Sequence, residues 1–98
     1  MPRPLTVIAR MHARPDRTAE LREALGILVQ ETRQESGCLN YDLHISPDDP
    51  TLFVFHETWA SRAHWEAHDE APHLRTFRER GRELLAGTTQ VDLLVKVD

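Results

Sequence analysis

Three observations predict an α+β domain, an antiparallel sheet with its helices on one face. Four short stretches of the chain alternate apolar and polar residues, two longer ones repeat at helical spacing, and they follow in the order strand, helix, strand, strand, two-part helix, strand. From Leu5 to Ala13, the residues Leu5, Val7, Ala9 and Met11 share one face by the two-residue repeat of a strand, and Arg14, Pro15 and Asp16 break it. From about Arg17 to Glu35 the positions Leu21, Leu25, Leu28 and Thr32, with Ala24 and Val29 alongside, recur at helical spacing. Gly37 is placed to stop that helix, since glycine tolerates the left-handed conformation of a C-terminal cap.

Leu39, Tyr41, Leu43 and Ile45 then alternate against Cys38, Asn40, Asp42 and His44. Ser46 to Pro50 turns the chain into Leu52 to Trp59, completing a hairpin. Ser61 suits the N-cap of a short helix holding Trp65 and His68, and Pro72 the first turn of the next. There Leu74, Phe77 and Leu84 line one side, Gly87 closes the stretch, and Val91 to Val97 makes a last strand. This order is ferredoxin-like.

Without a β-bulge, one sheet face carries Leu5, Val7, Met11, Leu39, Tyr41, Leu43, Phe53, Phe55, Trp59, Val91, Leu93 and Val95, and seats the helices. The other face still presents Ile8, Leu52, Val54 and Leu94, more apolar surface than a small monomer exposes to water, so a homodimer with facing sheets is expected.

The 98 residues fit a single domain, 1–98. Twelve Lys and Arg against 16 Asp and Glu give a net charge of −4, the wrong sign for a binder of nucleic acid. No run is long and apolar enough to span a bilayer, and Met1 to Leu5 lacks the layout of a signal peptide, so no membrane partner and a cytoplasmic location are expected. The single Cys38 cannot close an internal disulfide and has no evident base partner; it reads as small packing.

One residue is out of place on the apolar face. Glu57 falls in register with Phe53, Phe55 and Trp59 and would point under the helices. A buried carboxylate has a raised pKa and needs a donor such as a histidine or an indole. The plainer reading puts it at the strand end, in solvent or paired with an arginine. His64 and His68 stand four apart on the short helix, a spacing that can chelate a metal, but His64-Trp65-Glu66-Ala67-His68 is not H-E-x-x-H, and a third ligand such as His73 or Glu57 is not demanded by the spacing. The ordinary alternative is a solvated His64 with His68 turned inward. Trp59 and Trp65 would by themselves be core; together with Glu57, His68, His73, Phe77 and Tyr41 they could wall an apolar pocket with a few polar tips. The chain has neither a glycine-rich phosphate loop nor a serine-nucleophile motif.

The string Gly37-Cys38-Leu39-Asn40-Tyr41, followed by Phe53, Glu57-Thr58-Trp59, His68, Pro72-His73 and Phe77, resembles the antibiotic biosynthesis monooxygenase (ABM) domain family over nearly the whole chain. The resemblance implies a dimeric ferredoxin-like α/β barrel. It also implies one of several activities: oxidation of phenolic polyketides or quinols by O2 without metal or flavin, haem breakdown, or isomerisation of a small phosphorylated signal molecule. In length and motif the chain is most similar to the small bacterial quinol monooxygenases. Haem-degrading members carry an asparagine on the first strand and a histidine on the last helix, where Ala9 and Arg78 stand here. On this resemblance the expected partners are a small aromatic substrate and O2, with no cofactor and no metal. His68 is the expected acid/base, with Glu57 orienting it or holding a substrate hydroxyl. Trp59, Trp65, Tyr41 and Phe77 would be aromatic walls and His73 a secondary candidate. The alternatives are a non-catalytic dimer binding a small ligand, an isomerase of a small signalling metabolite, and a metal enzyme using His64, His68 and His73.

Overall fold

A computed structural model describes residues 3–98; Met1 and Pro2, with part of the Met1 to Leu5 reading, lie outside it. Its elements are β1 (Leu5–His12), α1 (Thr18–Thr32), β2 (Cys38–Ile45), β3 (Leu52–Trp59), α2 (Arg62–Asp69), α3 (Pro72–Leu84) and β4 (Gln90–Leu94). The sheet runs β2-β3-β1-β4 with every neighbouring pair antiparallel, the ferredoxin-like arrangement. It is open, with β2 and β4 at its edges, so one copy alone does not close a barrel. None of the described helices is long and apolar enough to cross a membrane.

The alternation in β1 and β3 sets the core. Leu5, Val7, Ala9 and Met11 pair across with Trp59, Glu57, Phe55 and Phe53, and all eight are buried on the helix-bearing face. Leu21, Leu25 and Leu28 of α1 and Leu74, Phe77 and Leu84 of α3 close over them. Each such side chain taken fully out of water is worth about 1.5–3 kcal/mol.

Four expectations are corrected. The first helix ends at Thr32 rather than Glu35, with tight turns from Arg33 onward. Gly37 is therefore not its cap: at φ +80° it turns the chain into β2, and a Cβ there would lie 2.3 Å from the His64 ring, so only glycine fits. The register of β2 shifts between Cys38 and Asn40, a bulge that leaves Leu39 60% exposed instead of on the core face. The last strand stops at Leu94, placing Val95 and Val97 beyond the sheet. Ser61 does cap α2, accepting from the backbone N–H of His64.

Candidate active site

The alternation of β3 that buries Phe53, Phe55 and Trp59 also buries Glu57, which lies mid-sheet between Val7 of β1 and Tyr41 of β2 and is only 3% exposed. Its partner is the indole two residues on: Trp59 Nε1 donates to Glu57 Oε1 at 2.9 Å. Burial pushes the Glu57 carboxyl up to about 7; the indole bond pulls the other way, and the charge of Glu35 adds to the rise. A carboxyl poised there changes protonation near neutrality.

His68 reaches the same region from α2. Its ring lies over Trp59, with centroids 4.7 Å apart, and stands edge-on to Tyr41 at 5.5 Å. The carboxylate that holds it is Glu35, not Glu57. A single oxygen of Glu35 lies 2.7 Å from His68 Nδ1 and 2.7 Å from His73 Nε2, and since a carboxylate oxygen only accepts, both rings donate to it. That leaves His68 Nε2 as the ring nitrogen free to act as a base. Burial lowers the pKa of His68 and Glu35 opposes the drop, so the imidazole is neutral at pH 7 and able to take a proton.

Between the sheet and the α2–α3 pair lies a cavity of about 650 Å³. Val7, Ala9 and Met11 form its floor, Tyr41, Glu57 and His68 its inner polar end, and Trp65, Leu74 and Phe77 its roof. It opens past Arg14, Arg82 and Thr88, all exposed. Val91, on the core face but 48% exposed, lines it as well: no helix covers β4 at that point. The volume is typical of a small-molecule site.

Of the residues expected from sequence, Glu57, His68, Tyr41, Trp65 and Phe77 thus line one cavity. Trp59 does not; it is fully buried behind them, binding Glu57 and stacking on His68. His73 sits on the far side of Glu35, against Glu31. His64 bonds the Ser61 hydroxyl at 2.7 Å, so the His64, His68, His73 set is not assembled. Glu35, His68 and His73 do bring their donor atoms within 4.8 Å of one another, and hydrogen bonds to the one carboxylate oxygen satisfy the trio. Burial pushes the Cys38 thiol up, with Glu35 adding to the rise, which keeps it a poor nucleophile.

Sequence reasoning missed Glu35 and the arginines of the mouth. A signal for Glu35 existed: it continues the buried stripe of Leu21, Leu25, Leu28 and Thr32 one step further, where a glutamate needs a partner.

Comparison with known proteins places the chain in a family by its sequence and fold. A Mycobacterium tuberculosis protein named "Putative monooxygenase Rv0793" is 38% identical over 98 residues, covering 100% of this chain and 96% of its own length. The Bacillus subtilis protein named "Putative monooxygenase YcnE" is 31% identical, covering 85% and 87%. Among solved structures, PA3566 from Pseudomonas aeruginosa superposes with a TM-score of 0.93 at 36% identity, over 100% of this chain and 98% of that one. Rv0793 itself gives 0.90 at 37%, over 97% and 96%. The profile described as antibiotic biosynthesis monooxygenase matches residues 4–80, and with the sheet order and these relatives it makes the chain a member of the antibiotic biosynthesis monooxygenase family.

Proposed function

We propose that the protein is a monooxygenase that oxidises a quinol or phenolic aromatic with O2, using the electrons of the substrate itself. The observation that carries this reading is the convergence of a neutral, carboxylate-held imidazole and a carboxyl near its titration point on one largely apolar cavity. His68 Nε2 takes the phenolic proton, while Glu35 on Nδ1 fixes the tautomer and stabilises the imidazolium that forms. Glu57, with Oε1 engaged by Trp59, offers Oε2 to a second oxygen of the substrate. Trp59 is then a positioning residue, and Tyr41, Trp65 and Phe77 flank the ring.

Removal of the proton leaves an electron-rich anion that gives one electron to O2. Recombination at a ring carbon, with the proton held by His68 returned to the outer oxygen, forms a hydroperoxide. Elimination of its terminal OH together with the hydrogen on that ring carbon, as water, then yields a quinone, with one oxygen atom of O2 in the product and the other in water. The dry floor of Val7, Ala9 and Met11 favours this sequence by excluding bulk water from the anion and the peroxide.

A second copy covers the outer sheet face in this reading. There Leu94 is 47% exposed and Ile8, Leu52 and Val54 are each partly exposed, a strip that water disfavours.

Oxygen uptake in the presence of hydroquinones and naphthols tests the proposal. Wild-type protein should consume O2, and His68→Ala, still folded by circular dichroism, should do so at least ~100-fold more slowly. Affinity without turnover would identify a binder instead, and unchanged rates in His68→Ala would remove that residue from the chemistry.

A further inference from the structure

We propose that the occupant of the cavity is an aromatic acid, its ring on the apolar floor and its carboxylate held at the mouth by Arg82. This rests on the reading of the occupant as aromatic and adds a charge to it.

The cavity is polarised along its length. Its inner end holds the proton-transfer groups; its outer end carries Arg14, Arg78 and Arg82 against a single, half-buried acid, Asp69, in a chain whose net charge is −4. Two of these cations are committed. Arg78 binds both the Asp69 side chain and its backbone carbonyl, which spends the charge of Asp69. Arg14 is fixed by the Leu85 carbonyl at 3.1 Å and the Arg82 carbonyl at 2.9 Å. Arg82 is different: among the described residues its guanidinium makes no hydrogen bond and no ion pair, although Glu79 and Glu83 share its helix.

Arg82 also lies four residues from Arg78 on α3, with both side chains at the same cavity mouth. A planar guanidinium fork with its donors free matches a carboxylate in two parallel hydrogen bonds, which a lone surface cation does not supply. The apolar floor meanwhile rejects a bare anion, because nothing along Val7, Ala9 and Met11 would replace its water. An anion attached to a ring satisfies both regions at once.

Calorimetric titration with 2-naphthoate and its neutral isostere 2-naphthamide tests the assignment, and neither probe needs to be turned over. The naphthoate should bind at least ~10-fold more tightly at low ionic strength, with the gap closing as salt is added. Arg82→Ala should bring naphthoate affinity down towards that of the amide and leave the amide unchanged, while Arg82→Lys keeps part of the preference. Equal affinities, a preference that survives Arg82→Ala, or no binding of either probe at millimolar concentration would each overturn the proposal. A naphthoate preference in a protein that consumes no O2 with any quinol would instead sink the oxygenase reading and leave this one standing.

Discussion

Glu57→Gln should stabilise the protein, and only above the ordinary titration range of a glutamate. Burial raises this carboxyl from 4.5 to about 7, so between those values the folded chain holds a proton that the unfolded chain has released. Stability contributed by the protonated group is complete below pH 4.5 and is lost as pH rises through 7, at up to ~1.4 kcal/mol per pH unit. By pH 8 the loss reaches about 3 kcal/mol. Glutamine carries no charge to desolvate, and its amide oxygen can still accept from Trp59 Nε1. The variant and the wild type should therefore be nearly equal at pH 4 and differ by about 3 kcal/mol at pH 8, where each kcal/mol raises the melting temperature of a domain this size by roughly 4–8 °C. His68 runs in the opposite sense. Its pKa is lowered by burial, so the stability it contributes is present above its unfolded value and is lost as pH falls; this occurs in both proteins and cancels in the difference. Urea unfolding of the two proteins between about pH 4 and pH 8 measures the effect. A variant that is no more stable than wild type at pH 8, or that differs by the same amount at every pH, would refute the reasoning. The buried charge is a stability cost of the kind that active sites carry, so the gain should come with lost oxidation.

Two further predictions concern the site and the assembly. Glu35→Gln removes the carboxylate that favours the His68 imidazolium, so the His68 pKa should fall further, the acid limb of the pH–rate profile should move to lower pH, and the rate at neutrality should drop about 10-fold; nitrogen NMR of the His68 ring that shows no shift in the variant would count against the coupling. Sedimentation equilibrium should give twice the 11.3 kDa of one chain, and Leu94→Asp should shift the protein towards single chains; a wild-type mass of one chain would remove the facing-sheet dimer.

The fold was legible because its signals are periodic and local. The two-residue repeat of β1 and β3 and the stripe of α1 are each written in consecutive residues, and Ser61 and Pro72 mark helix starts that do form. What was not legible depends on contacts between distant segments. The bulge at Cys38/Asn40 moves one residue and flips Leu39, which alternation alone cannot register. Gly37 looked like a helix cap because its left-handed φ is right for one; the His64 ring that imposes glycine comes from α2. Within the site, Glu57 stood out as a charge in an apolar register, whereas the partnership of Glu35 with His68 spans 33 residues. The aromatic set was legible as a set but not as inside or behind: Trp59 and Trp65 read alike in sequence, and only the packing puts one under Glu57 and the other on the cavity wall.

The most direct measurement is mass spectrometry of the product formed from a naphthol or hydroquinone under ¹⁸O2. Proton abstraction by His68 followed by capture of O2 on the ring requires one labelled atom in each quinone formed, with the other released as labelled water. A quinone without label, formed as O2 is reduced to hydrogen peroxide, would contradict oxygenation in this cavity.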